Sequence, residues 1–151
     1  MSDVETLYRE IILDHYREKH HAGLREPFEA EVHHVNPSCG DEVTLRLHLD
    51  GDTIADVSYD AVGCSISQAS LSIMGDLVVG RSVDDAMALY DDFRAMMDHD
   101  HADPDEDRLE DAIAFAGVAQ FPARVKCALL GWAALKDASF RASAIDDDKD
   151  M

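Results

Sequence analysis

The stretch from Val43 to Val62 constrains this chain more than any other. Val43, Leu45, Leu47 and Leu49 alternate with polar Thr44, Arg46 and His48, a period of two that suits a strand with one buried and one wet face. Asp50-Gly51-Asp52 follows as a hairpin signal, and Ile54, Val57, Tyr59 and Val62 supply the next strand. Upstream, from Phe28, Val32 and Val35 mark an earlier one. The pattern predicts a three-stranded antiparallel meander, with the segment Asn36-Pro-Ser-Cys-Gly-Asp41 joining its first two strands.

Helical periods lie on both sides of the meander. Ser2 and Glu5 form a capping-box pattern, and Leu7, Ile11, Leu13 and Tyr16 keep a helical spacing to about His20, ended by Gly23 and Pro27. After the third strand, Ser65 to Val79 reads as a helix that begins at Cys64 and stops at Gly80. Ser82-Val-Asp-Asp85 opens another, carrying Ala86, Met87, Leu89, Tyr90, Phe93 and Met97, with Met87, Met96 and Met97 as core filler. His99 to Asp107 reads as an acidic loop, with Asp103 as N-cap and Pro104 at the first position of a short helix that breaks at Gly117–Gln120. Phe121-Pro122 opens a final helix from Ala123 to about Phe140. The expected class is α+β, a three-stranded antiparallel sheet packed against about five helices. Residues 1–142 are expected to form one domain, and 143–151 an acidic, disordered tail.

The N-terminus is acidic and lacks an apolar run, so no signal peptide is expected. No stretch approaches the roughly 18 apolar residues of a membrane span. A net charge of −19 repels phosphate backbones and anionic bilayers, so neither nucleic acid nor membrane is expected as a partner. Asp outnumbers Glu 23 to 9 and Arg outnumbers Lys 9 to 4, the balance of a surface adapted to high salt. Three cysteines, an odd and widely spaced set, point to a reducing cytoplasm with thiols used for metal or catalysis.

Asn36–Asp41 places a thiol, Cys39, and a carboxylate, Asp41, two residues apart in a Pro- and Gly-containing turn. Both side chains ligate zinc. The alternative is a turn whose cysteine is a small buried hydrophobe. Cys64 sits where a strand becomes a helix and Cys127 in the first turns of the last helix, settings in which unpaired N–H groups and the helix dipole favour thiolate. Three cysteines and Asp41 make four ligands, the number a tetrahedral zinc takes, and three unrelated core cysteines fit the spacing equally well.

Four stretches carry a resemblance. Leu7-Tyr-Arg-Glu-Ile-Ile-Leu-Asp-His-Tyr16, Asn36-Pro-Ser-Cys-Gly-Asp41, Gly63-Cys-Ser-Ile-Ser-Gln-Ala-Ser70 and Phe121-Pro-Ala-Arg-Val-Lys-Cys127, in that order, resemble the IscU/SufU family of iron–sulfur cluster assembly proteins over almost the whole chain. The resemblance implies a SufE/NifU-like fold and the ligand set Cys39, Asp41, Cys64 and Cys127. Scaffold-type IscU members carry a His immediately before the third cysteine. Here that position is Lys126, and an extra helical stretch, roughly Arg81 to Asp107, is similar to the SufU branch.

The SufU resemblance implies a zinc-dependent sulfurtransferase that accepts persulfide sulfur from a SufS-like cysteine desulfurase and passes it to a downstream cluster assembly scaffold. It also implies that a partner histidine replaces Cys39 on the zinc. Cys39, on a glycine-flanked loop, is then the expected sulfur acceptor, and Asp41 a ligand and gate. The alternative is a scaffold holding Fe2+ or a [2Fe–2S] cluster at the same residues. Arg124 and Lys126 are candidate docking cations, with a snorkelling surface arginine as the plainer reading of Arg124. A monomer or weak homodimer is expected. His20-His21, His33-His34 and His99/His101 read as scattered surface histidines rather than a second metal site, and Tyr8, His15 and Tyr16 as packing or contact residues of the first helix.

Overall fold

The computed structural model describes residues 3–37, 40–98 and 106–149, with side chains described within 6–37, 40–98 and 107–142. The element order is α1 (Asp3–Glu18), β1 (Ala30–Asn36), β2 (Asp41–Asp50), β3 (Thr53–Val62), α2 (Ser65–Val78), α3 (Val83–Met97), α4 (Glu106–Leu109), a 3-10 helix (Glu110–Gln120) and α5 (Pro122–Lys149). The strands form one antiparallel sheet in the order β1-β2-β3. This is the expected α+β meander with its helical cover.

The register follows the alternation. Val32 pairs with Leu45 and Ala30 with Leu47, while Leu45 faces Tyr59 and Leu47 faces Val57 on the other side. Val43, Leu45 and Leu47 are fully buried. α5 lies across β1 and β2, and α2 packs against both α1 and α5. Trp132 of α5 stacks on Phe93 of α3 with centroids 5.0 Å apart, and Phe93 meets Phe115 edge-on at 5.9 Å. Gly131 lets α5 approach α2 closely, because a Cβ there would overlap Leu71.

Several expectations need correction. Val35 and Val62, read as inward strand residues, are 52% and 64% exposed. In β1 the inward face runs through Ala30, Val32 and Asn36, so period two turns Val35 outward. A bulge at His48/Leu49 shifts the β2–β3 register, so Val57, Tyr59 and Ala61 face the core and Val62 does not. The break expected over Gly117–Gln120 falls at the far end of that range, with the helix running through Gly117. Leu109, Ala112, Phe115 and Val118 are all buried at a spacing of three, which is the repeat of the 3-10 helix that continues to Gln120. The last helix also passes its expected end near Phe140. With no Gly or Pro after Gly131, the backbone stays helical through the acidic stretch to Lys149.

Other expectations match. Ser82 caps α3, its Oγ accepting from the Asp85 N–H at 3.1 Å. Met96 and Met97 are buried, and Met87 packs against the core from a half-buried position. Asp103 and Pro104, and Ser2 of the capping box, lie outside the described residues. Among the described residues, no helix is long and apolar enough to cross a membrane.

Candidate metal centre

The meander brings three chain segments to one end of the sheet. Asn36 at the end of β1 pairs with Asp41 at the start of β2, and Glu42 pairs with Val62 at the end of β3. The hairpin closes with the Gly40 N–H donating to the Asn36 carbonyl at 2.9 Å, and Gly40 takes φ 73°, a conformation that favours glycine. Gly63-Cys64 therefore leaves β3 directly beside Asp41.

Asp41 is fully buried. Its Oδ1 accepts from the Cys64 N–H at 2.9 Å, and its Oδ2 lies 3.8 Å from Cys64 Sγ. That contact seats Cys64 as the N-cap of α2, with φ −74° and ψ 170°. The Cys64 side chain makes no capping bond of its own and is exposed. Ser67 Oγ donates to the Cys64 carbonyl at 3.1 Å and lies 3.8 Å from its sulfur. A Cβ at Gly63 would overlap the Asp41 carboxylate, so this residue leaves room for the carboxylate to reach Cys64.

Cys127 arrives from α5. It is buried, with Sγ 3.6 Å from the Ala123 carbonyl and Asn36 Nδ2 3.9 Å from the sulfur. The ligand atoms of Asp41, Cys64 and Cys127 lie within 4.8 Å of one another. Cys39 lies outside the described residues. Three of the four expected ligands are thus brought together, and the fourth precedes Asp41 by two positions in the chain.

The donor chemistry fits a metal. A buried carboxylate requires a compensating charge or hydrogen bonds, and the described partners of Asp41 are one backbone N–H and a thiol. Two sulfurs and one carboxylate oxygen suit a borderline-soft divalent ion such as zinc. Cys64 occupies the N-cap position of α2. Cys127 sits in the second turn of α5, beyond the unpaired N–H groups of the first.

A cleft of about 330 Å³ opens on the sulfurs, lined by Cys64, Ser65, Ile66, Ala123, Arg124 and Cys127. Arg124 reaches this cleft and lays its guanidinium over the Phe121 ring at 5.2 Å. Lys126 is exposed and does not line it. A neighbouring groove shares Ser65, Ile66 and Arg124 and adds Tyr8, Ile12, Leu13 and Phe121. Sequence reasoning gave no site role of their own to Asn36, Gly63 and Ser67, although each lies within a cysteine motif. The histidines also need correction. His33 and His34 stand apart, near Glu42 and Asp137, but His20 and His21 converge on Asp76. His99 and His101 lie outside the described residues.

Residues 7–128 match the family described as the NifU-like N terminal domain. The chain is 41% identical over 143 residues to the iron-sulfur cluster assembly scaffold protein IscU of Streptococcus pyogenes serotype M1, covering 95% of this chain and 89% of that protein. It is 39% identical to the zinc-dependent sulfurtransferase SufU of Bacillus subtilis strain 168, covering 89% and 90%. A crystal structure from Fervidobacterium islandicum AW-1, described as a scaffold protein for the SUF system, superposes with a TM-score of 0.81 at 37% identity, covering 89% of this chain and 98% of that one. The NifU-like N-terminal structure from Brucella abortus superposes at 0.84 with 24% identity, covering 95% and 99%, and bears on the fold alone.

Proposed function

Since the chain belongs to the family of NifU-like N-terminal domains, we propose that it serves iron–sulfur cluster assembly as a zinc-dependent sulfurtransferase. The observation that carries this reading is a buried carboxylate, Asp41, within reach of an exposed and a buried cysteine sulfur at the mouth of a cleft. The reading is supported by the SufU relative and by Lys126, which stands where scaffold-type members have a histidine.

Cys39, Asp41, Cys64 and Cys127 would hold the zinc. Bound zinc lowers the pKa of a coordinating thiol and keeps it ionised at neutral pH. The Cys39 thiolate attacks the outer sulfur of a persulfide presented by a SufS-like cysteine desulfurase. A new S–S bond forms at Cys39, the donor's S–S bond breaks, and the desulfurase cysteine leaves as a thiolate. Asp41, anchored through Oδ1 by the Cys64 N–H, would offer Oδ2 to the zinc and serve as both ligand and gate. Arg124, lining the cleft, is the first candidate docking cation, and the exposed Lys126 is the second. A downstream scaffold in the cytoplasm receives the sulfur.

The second reading, a [2Fe–2S] scaffold at the same residues, is favoured by the IscU relative. Metal analysis and an absorption spectrum separate the two. Colourless protein with about one zinc per chain supports transfer, and brown protein with iron and acid-labile sulfide supports a scaffold. On zinc-loaded protein, Cys39→Ser is expected to abolish persulfide transfer from the desulfurase. Transfer equal to that of the unsubstituted protein would remove Cys39 from the mechanism.

A further inference from the structure

We propose a second metal site, built from His15, His20 and Asp76, that takes a borderline divalent transition ion through two imidazole nitrogens and one carboxylate oxygen. One ligand atom from each residue lies within 4.8 Å of the others. Ligands about 2.1 Å from one tetrahedral ion stand about 3.4 Å apart, so ångström-scale side-chain rotations close the set. Two histidines and a carboxylate suit zinc, cobalt, nickel or ferrous ions rather than magnesium or calcium.

Each ligand is already oriented from behind. His20 Nδ1 faces Asp76 Oδ2 at 2.6 Å, while its Nε2 is held by Glu18 at 2.9 Å. An ion would occupy the place of the Nδ1 hydrogen bond and leave the Glu18 contact intact. Asp76 keeps Oδ1 on His21 Nε2 at 2.9 Å. His15 is buried, with Nδ1 on Ser72 Oγ at 2.8 Å and Nε2 on Asp111 Oδ2 at 3.1 Å, so an ion would take the place of one of these contacts while the other nitrogen keeps its own. Supports of this kind accompany metal-binding histidines and set their ring orientation. Gly75 adds to the construction, since a Cβ there would strike the His21 ring.

The site is reachable. His20 and Asp76 side chains are 38% and 41% exposed, and a cavity of about 230 Å³ beside them is lined by His15, Asp76, Glu110 and Asp111. Two further carboxylates thus face the side where a fourth ligand or water would stand. Asp76 follows Cys64 by 12 positions along the chain, about 18 Å of helix, which separates this site from the cysteine centre. An ion here would tie α1, the turn after it and α2 together, beside the 3-10 helix.

The test is a Co2+ titration of the metal-free chain at neutral pH. The cysteine centre announces itself by sulfur-to-cobalt charge-transfer absorption. A second equivalent is expected to add only the weak visible bands of nitrogen and oxygen ligation. His20→Gln and Asp76→Asn should each weaken that second step at least tenfold, with the charge-transfer band retained as the sign of an intact fold. A chain without a second step, or one whose second step neither substitution changes, would overturn the proposal in favour of a hydrogen-bond network on an acidic surface. A measurement without mutation guards against variants that fail to fold. Zn2+ beyond one equivalent should shift the imidazole 15N signals of His15 and His20 and spare those of His33 and His34, and unmoved His15 and His20 signals would sink the site.

Discussion

A Cβ at Gly63 would land on the Asp41 carboxylate and come within 2.8 Å of Ser67 Oγ, so even alanine forces apart the groups that position Cys64. Gly63→Ala is expected to destabilise the protein by about 1–3 kcal/mol, as overpacking does. It should also loosen the metal, read by thermal unfolding and by chelator competition. Native stability with native metal affinity would mean that the carboxylate can swing away freely. Arg25 provides a pH-dependent case. Its Nε and Nη2 donate to Asp56 Oδ2 and Oδ1 at 2.9 and 3.0 Å, and Nη2 also reaches the Val57 carbonyl at 3.1 Å. The guanidinium holds the Asp56 carboxyl below its ordinary range. A depressed folded-state value means the stabilisation is present above the unfolded pKa of about 4 and fades as pH falls through the folded value. Asp56→Asn should therefore cost about 1 kcal/mol at pH 7, since the pair is bidentate yet partly solvated, and progressively less in acid. A deficit that persists unchanged into strong acid would contradict this account.

Among the elements, α3 shows local code at its plainest. Ser82 caps it and Asp84 and Asp85 fill its first turn, all readable from four consecutive residues. Ser82→Ala is expected to lower stability by about 1 kcal/mol, measured as a shift in the urea midpoint with the slope unchanged. The segment Glu110–Gln120 is the contrasting case. Its apolar residues also fit an ordinary helix, and Gly117 reads as a breaker, but burial of Leu109, Ala112, Phe115 and Val118 along one line selects the tighter 3-10 winding. Phe115→Ala should cost about 3–5 kcal/mol, because Phe115 is fully buried against Phe93. A loss below 1 kcal/mol would mean that this segment does not close the core.

At the scale of the whole molecule, 32 acidic residues against 13 basic ones set a net repulsion that the ion pairs do not cancel. Screening lengths shrink from about 10 Å at 0.1 M salt to about 3 Å at 1 M, which relieves that repulsion while weakening exposed pairs such as Arg46–Glu31 only modestly. The melting temperature is expected to rise from low to molar KCl. Indifference to salt would remove the high-salt reading of the composition.

Period and punctuation in the sequence determined the meander and the helix starts at Cys64 and Ser82, and four short motifs carried the family resemblance. These signals are local, or lie in short motifs whose flanking residues travel with them. Only tertiary structure decided which atoms meet. α5 lies across the sheet and brings Cys127 beside Asn36, 91 residues earlier. Close helix packing gathers His15 and His20 around Asp76, with His20 and Asp76 separated by 56 positions. Contacts at such separations are set by how faces pack, not by the propensity of either segment. For that reason His15, His20 and His21 give no sign of a shared site in the sequence and meet at Asp76 in the fold.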